Sequence, residues 1–311
     1  MIDQAALPAD LQGAEAAIRR DLARSGAAAA STLPVLRYLV AAEPDNSFAE
    51  EVLARVKGIL RDVAAQVLDA LIGSIDRRAH AHEEVAVLSR AFLDDTIVLA
   101  HAHAVALEWQ LTERLSTHLG LDPVVSPFVR ARVAAGDALM REFLTAQARW
   151  VDRQRRMALP LVEVPAPVLD AVLAIVRALV EAEPALSNRV AAVEAEVRLR
   201  HDEISNRLMV AERVVADDAF EATAPVSACG VTLFLTAFAA RSGQPRDGLV
   251  AAMQPGQQTR LALLLLAAGT PAALVDAQIR EIHGRTGMPA VLAGIDAMRA
   301  AAILAQPGRA K

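Results

Sequence analysis

The sequence predicts an all-α protein: an N-terminal helical bundle followed by a C-terminal helical, repeat-like region. Three observations carry this. Ala, Leu, Val, Arg and Glu dominate the 311 residues, and four of these five are strong helix formers. Apolar residues recur at steps of three and four, the period of one helix face. Gly and Pro gather at the joints between these stretches. Apolar residues make up 54% of the chain, which supplies core material; much of it is Ala, suited to close helix–helix packing.

Residues 14–25 and 33–42 read as two helices, with the small-residue stretch 26–31 as a loop between them. Pro44-Asp45-Asn46 is a turn. Ser47-Phe48-Ala49-Glu50 is a capping box, in which the Ser hydroxyl accepts from the third amide while Glu50 reaches back. Val52, Val56, Ile59, Val63 and Val67 then mark a buried stripe. That helix extends to about residue 75, roughly 40 Å at 1.5 Å per residue.

The next helix covers 84–118, with room for a break, and ends at Gly120-Leu121-Asp122-Pro123. Ser126-Pro127 opens another, since Pro is tolerated in a first turn. It breaks near Gly136 and continues to about 157. Pro160, Pro165 and Pro167 follow, and the extended Leu161-Val162-Glu163-Val164 between them reads as a short strand or a linker. The chain therefore divides into residues 1–158, a Pro-rich linker at 159–167, and residues 168–311.

Beyond it, residues 168–183 and 189–220 read as helices. The second has a stripe of Val190, Val193, Val197, Ile204, Leu208 and Val215, interrupted by His201, which reads as a core-edge histidine with a partner. Glu194–Arg198, Glu196–Arg200 and Glu203–Arg207 are i,i+4 pairs, each contributing about 0.2–0.5 kcal/mol on a solvated face. From Ser227 onward the helices shorten and tight Gly/Pro turns join them.

Net charge is −5, which argues against a nucleic-acid binder. Lys occurs only at 57 and 311, so Arg supplies the positive charge; with the Ala richness this suggests a bacterial genome of high GC content. No apolar run reaches the roughly 18 residues that span a bilayer, and the N-terminus has no secretory signal, so a cytoplasmic protein is expected. The lone Cys229 forms no intrachain disulfide and reads as a buried small hydrophobe.

Four of the seven His lie between His80 and His103. Metal binding there meets a geometric objection: residues two apart on a helix, such as His101 and His103, point about 200° apart. The paired Glu-x-x-His of di-iron bundles and His-Glu-x-x-His are both absent. No metal site, cofactor or catalytic residue is therefore assigned. Asp94, His101 and Glu108 recur every seven residues, with Thr96, His103 and Gln110 on the other side, so this helix is polar in an apolar neighbourhood. Those groups need partners from other helices or from a symmetry mate, and a homodimer is one way to supply them.

Arg149, Arg153, Arg155 and Arg156, with Trp150, cluster at a helix C-terminus. They complement the helix dipole, contact an anion or RNA, or contact another protein. Nucleophile elbows, P-loops and dinucleotide fingerprints are absent. The expected function is therefore a non-enzymatic protein–protein interaction or regulatory role. The alternative is His-based phosphotransfer, or a metal-dependent helical bundle, using the 80–103 region.

In the C-terminal third, Arg246-Asp247-Gly248-Leu249, Arg260-Leu261-Ala262-Leu263 and Ala267-Ala268-Gly269 resemble a family of alphaproteobacterial helical proteins catalogued as a domain of unknown function. The resemblance covers about a quarter of the chain. It implies a bacterial helical protein and carries over no site residues.

Overall fold

Helix α1 (Ala9–Ala41) is continuous for 33 residues. The loop expected at 26–31 is helical because Ala27 to Ala30 are the best helix formers, outweighing the roughly 1 kcal/mol lost at Gly26. The Ser31 and Thr32 hydroxyls donate back to the Ala28 carbonyl rather than breaking the helix. These observations come from a computed structural model, which describes residues 9–41, 50–72, 82–181, 184–203, 206–284 and 287–305. The fold is all-α: the described residues form fifteen α-helices and two 3-10 turns, with no strand.

Helix α2 (Glu50–Ile72) buries Val56, Ile59, Val63 and Val67, four of the five residues of the expected stripe. The turn at 44–46, Ser47 of the capping box, and residues 73–75 lie outside the described residues. The 84–118 stretch divides into α3 (His82–Asp94) and α4 (Thr96–Leu119). Asp95 makes the joint: its extended backbone leaves the helix, and its carboxylate accepts from the Ile97 and Val98 amides. Gly120, with φ of 64°, closes α4 in the left-handed conformation.

Ser126 caps α5 (Pro127–Ala134), and Asp137 caps α6 (Ala138–Arg155) after the expected break at Gly136. The end of α6 is a Schellman motif. The Ala158 amide donates to the Arg153 carbonyl and the Met157 amide to that of Gln154. Met157 occupies the left-handed position with φ of 55°, where Gly is usual. A Cβ on Gly58 of α2 would lie 2.7 Å from Met157 Cβ, so only Gly fits where α2 crosses this turn. Gly58→Ala is expected to lower the urea midpoint, because overpacking of about 1–3 kcal/mol exceeds the gain in helix propensity of at most about 1 kcal/mol.

The 161–164 segment is not a strand; Leu161–Glu163 is a 3-10 turn. Helix α7 (Ala166–Val180) follows. The single helix expected over 189–220 is two, α8 (Pro184–Glu203) and α9 (Arg207–Val215). Asn206 starts the second by accepting from the Met209 amide. Glu194–Arg198 and Glu196–Arg200 pair as expected, whereas Arg207 turns inward to Glu108.

The last helices are α10 (Val226–Cys229), α11 (Val231–Ser242), α12 (Arg246–Ala252), α13 (Gln258–Ala267), α14 (Ala272–His283) and α15 (Ala297–Ala305). Leu261 to Leu266 of α13 are buried on every side, and α1, α11, α12, α14 and α15 pack around it. No helix of the described residues is long and apolar enough to cross a membrane.

Among the described residues two large apolar cores result, each drawing on residues from both sides of 159–167, with a small third cluster of Trp109, Trp150 and Val151. One joins α2, α3 and α7; the other joins α9 to α15 with α1 and α6. Helix α4 belongs to both. Val98, Leu99, Ala102, Val105 and Ala106 enter the first, and Leu107, Leu111 and Leu115 the second. Glu108 lies at the changeover.

Candidate functional site

The polar stripe of α4 resolves into two parts. Asp94 ends α3 instead; it is exposed and pairs with Arg37 of α1 at 2.6 Å. His101 and Glu108, two turns apart on α4, both face α12. His101 Nδ1 lies 2.9 Å from Asp247 Oδ2, and since a carboxylate only accepts, that nitrogen carries the proton. Glu108 accepts from both terminal nitrogens of Arg246, at 2.6 and 2.7 Å, and from Arg207 at 2.9 and 3.4 Å. For His101 and Glu108, other helices of the same chain therefore supply the partners that these polar groups need.

The network continues through hydroxyl and amide groups. Arg207 Nη1 donates to Thr232 Oγ1 at 2.7 Å, which donates to Gln147 Oε1 at 3.0 Å. Gln147 Nε2 donates to the Pro123 carbonyl at 2.8 Å. The Arg207 amide donates to Glu163 Oε2 at 3.2 Å. Helices α4, α6, α9, α11 and α12 are thus joined in one network centred on the Glu108 carboxylate.

Glu108 is 1% exposed and Arg207 3%. Burial alone would raise the Glu108 pKa. The Arg207 and Arg246 guanidinium groups more than offset it and hold the carboxyl well below its usual 4.5. The group is ionised at neutral pH, and its attraction to two cations is strong because little water screens it. The space beside it, bounded by His101, Trp150, Glu163 and the two arginines, is about 10 Å³, room for one water and no organic ligand.

Aromatic groups extend the network on its other side. Arg207 lies 4.0 Å from the Trp150 ring centre, and Trp150 meets Trp109 edge-on at 5.8 Å. Arg55 of α2 lies 5.1 Å from the Trp109 ring and donates to the Gln154 carbonyl. Both tryptophans are buried, so Trp150 is an internal support of α6 and not a surface anchor.

Arg149, Arg153, Arg155 and the C-cap Arg156 of α6 are all exposed; Arg149 and Arg153 share one side of the helix, and Arg155 points away from Arg153. Arg156 pairs with Asp152 at 2.7 Å. The side chains of Arg149, Arg153 and Arg155 make no hydrogen bond or ion pair with any described residue. The Arg153 and Gln154 carbonyls near the end of α6 are met by the Schellman amides and Arg55, not by these guanidinium groups.

The other histidines are dispersed. His80 lies outside the described residues, as does the side chain of His82. His103 is half-buried, and burial lowers its pKa, favouring the neutral ring. His201 Nε2 meets the Val164 carbonyl at 2.9 Å, the partner expected of a core-edge histidine. His283 is lowered to about 4 by burial and nearby Arg114. Among the described residues no group of three or more His, Cys, Asp or Glu could hold a metal ion. Cys229 is buried, and burial pushes its thiol up to about 12, which makes it unreactive.

Between α2 and α4 lies an open groove of about 550 Å³ lined by Glu51, Gln110, Glu113, Arg114, Thr117 and His118. Partial burial and the facing Glu51 carboxyl raise the Glu113 pKa above 4.5. A raised carboxylate favours the protonated form in the folded chain, so this pair opposes folding at neutral pH and is relieved as pH falls. Glu113→Gln is therefore expected to raise the melting temperature at pH 7. The advantage shrinks as pH falls toward the ordinary carboxylate value of about 4.3 and is lost below it, where the carboxyl is protonated in both states.

Arg207, Arg246, Asp247, Thr232 and Gln147 were not singled out as site residues by the sequence. Comparison with protein-family models, with curated proteins and with solved structures finds no match to this chain.

Proposed function

We propose that the chain is a non-enzymatic interaction or regulatory protein whose contact surface is the outer face of α6. The observation that carries this is the pairing of three uncommitted guanidinium groups with a rigid support. Met140, Phe143, Gln147, Trp150, Val151 and Gln154 are buried on the inner face, while Arg149, Arg153 and Arg155 stand in solvent. The packed helix holds the backbone in place before contact, so ordering on binding is confined to the Arg side chains. Arg is also favoured among residues that carry interface energy. Phosphotransfer through His101 is less well supported, because its ring is 5% exposed and bonded to Asp247.

The test is cross-linking in an extract of the source cell with the wild-type chain and with the Arg149→Gln, Arg153→Gln, Arg155→Gln triple variant. Surface changes of this kind shift stability by about 0.5 kcal/mol each or less. The variant is expected to fold and to lose a cross-linked partner that the wild type captures through α6. Equal capture by both chains, or cross-links that avoid α6, would sink the proposal.

A further inference from the structure

We infer that the α6 face accepts an acidic polypeptide segment, one presenting carboxylates a helical turn apart, rather than a nucleic acid or other polyphosphate. This rests on the reading of α6 as the contact surface and names the chemistry of its partner. The nine residues 148–156 hold four Arg against one Asp, in a chain whose net charge is −5. Asp152 is committed to Arg156, which leaves Arg149, Arg153 and Arg155 uncompensated. Arg149 and Arg153 are four residues apart and so share one side of the helix, about 6 Å apart along the axis at 1.5 Å per residue. Carboxylates at i and i+4 of a facing helix repeat at the same interval. Each can meet a guanidinium fork with two parallel N–H···O bonds.

Three features weigh against polyphosphate. The cluster lies at a helix C-terminus, where the dipole presents partial negative charge; phosphate sites favour the amides of an N-terminus. The amides of Arg156, Met157 and Ala158 are spent on the Arg153 and Gln154 carbonyls, so the end of α6 offers guanidinium donors and no nest of amides. Trp150, the aromatic of this segment, is turned into the core against Arg207 and offers no platform on which a base could stack.

The test uses three probes on the full chain: a blocked helical peptide with Glu at i,i+4 along one face, the same composition with the Glu residues scattered, and a single-stranded oligothymidylate. Binding is followed through the Nε–Hε resonances of Arg149 and Arg153. The striped peptide is expected to bind most tightly and to shift these resonances. Arg149→Gln with Arg153→Gln is expected to weaken it about tenfold, equivalent to about 1.4 kcal/mol. The Lys versions should recover only part, because the charge returns without the fork. Tighter binding of the oligothymidylate, equal binding of the scattered peptide, or full recovery with Lys would overturn the inference. If the peptide fails while cross-linking through α6 is still lost in the Gln triple variant, the contact surface stands and the carboxylate partner falls. Failure of both removes both.

Discussion

Glu108→Ala is expected to cost about 3–5 kcal/mol of folding stability, because it leaves the buried Arg207 and the largely buried Arg246 without the carboxylate that bonds them both. The loss comes less from the bonds themselves than from two desolvated cations facing each other across the gap. Urea unfolding at pH 7 measures it. Glu108→Gln keeps the shape and some hydrogen bonds, yet removes the charge, and should fall between the two. The pH dependence has a fixed sign. The Glu108 carboxyl is held below its unfolded value of 4.5, so its contribution is complete above that value and is lost as pH falls through the folded value. The wild type should therefore lose stability in strong acid more steeply than Glu108→Gln.

Trp150→Ala is expected to cost a comparable amount, about 3–5 kcal/mol for a large buried aromatic. The ring fills the underside of α6, meets Trp109 edge-on, and covers the Arg207 guanidinium at 4.0 Å. A desolvated cation–π contact contributes about 2 kcal/mol. Removing the ring withdraws that contact and opens a cavity. Trp109 then remains as the single tryptophan, so its fluorescence should shift to the red as water reaches the space. Because Trp150 supports α6, the variant should also weaken any contact made through Arg149 and Arg153. A variant with wild-type stability would show that the aromatic column carries little energy.

The fold class and most helix positions were legible because they follow from period, capping and Gly/Pro joints. The α4 end at Gly120 and the α5 start at Ser126-Pro127 are local chemistry and were readable from a few residues. The continuity of α1 was not, because Gly26 among small residues resembles a loop unless the helix propensity of Ala is weighed. The polar residues of α4 were visible as a seven-residue recurrence, and so was their need for partners. Identifying the partners requires the tertiary fold: Arg246 is 138 residues and Arg207 99 residues from Glu108. Arg207 was assigned to a solvated i,i+4 pair because the joint before α9 was missed. Asn206, an N-cap residue one position before Arg207, was the available signal. Trp150 illustrates the opposite error: its Arg neighbours gave the stretch a surface character, while burial of the ring depends on α9.

The measurement that bears most directly on the buried network compares Glu108→Met, Arg207→Met and Arg246→Met singly and together by urea unfolding. If the three groups form one unit at the junction of the two cores, the Glu108 single variant loses about 3–5 kcal/mol and each Arg variant is also destabilised. The triple variant, with no buried charge left unpaired, should then lie within about 2 kcal/mol of the wild type, far from the sum of the singles. A triple loss equal to that sum would show that the three residues contribute independently, and would contradict a coupled charge network at the centre of this fold.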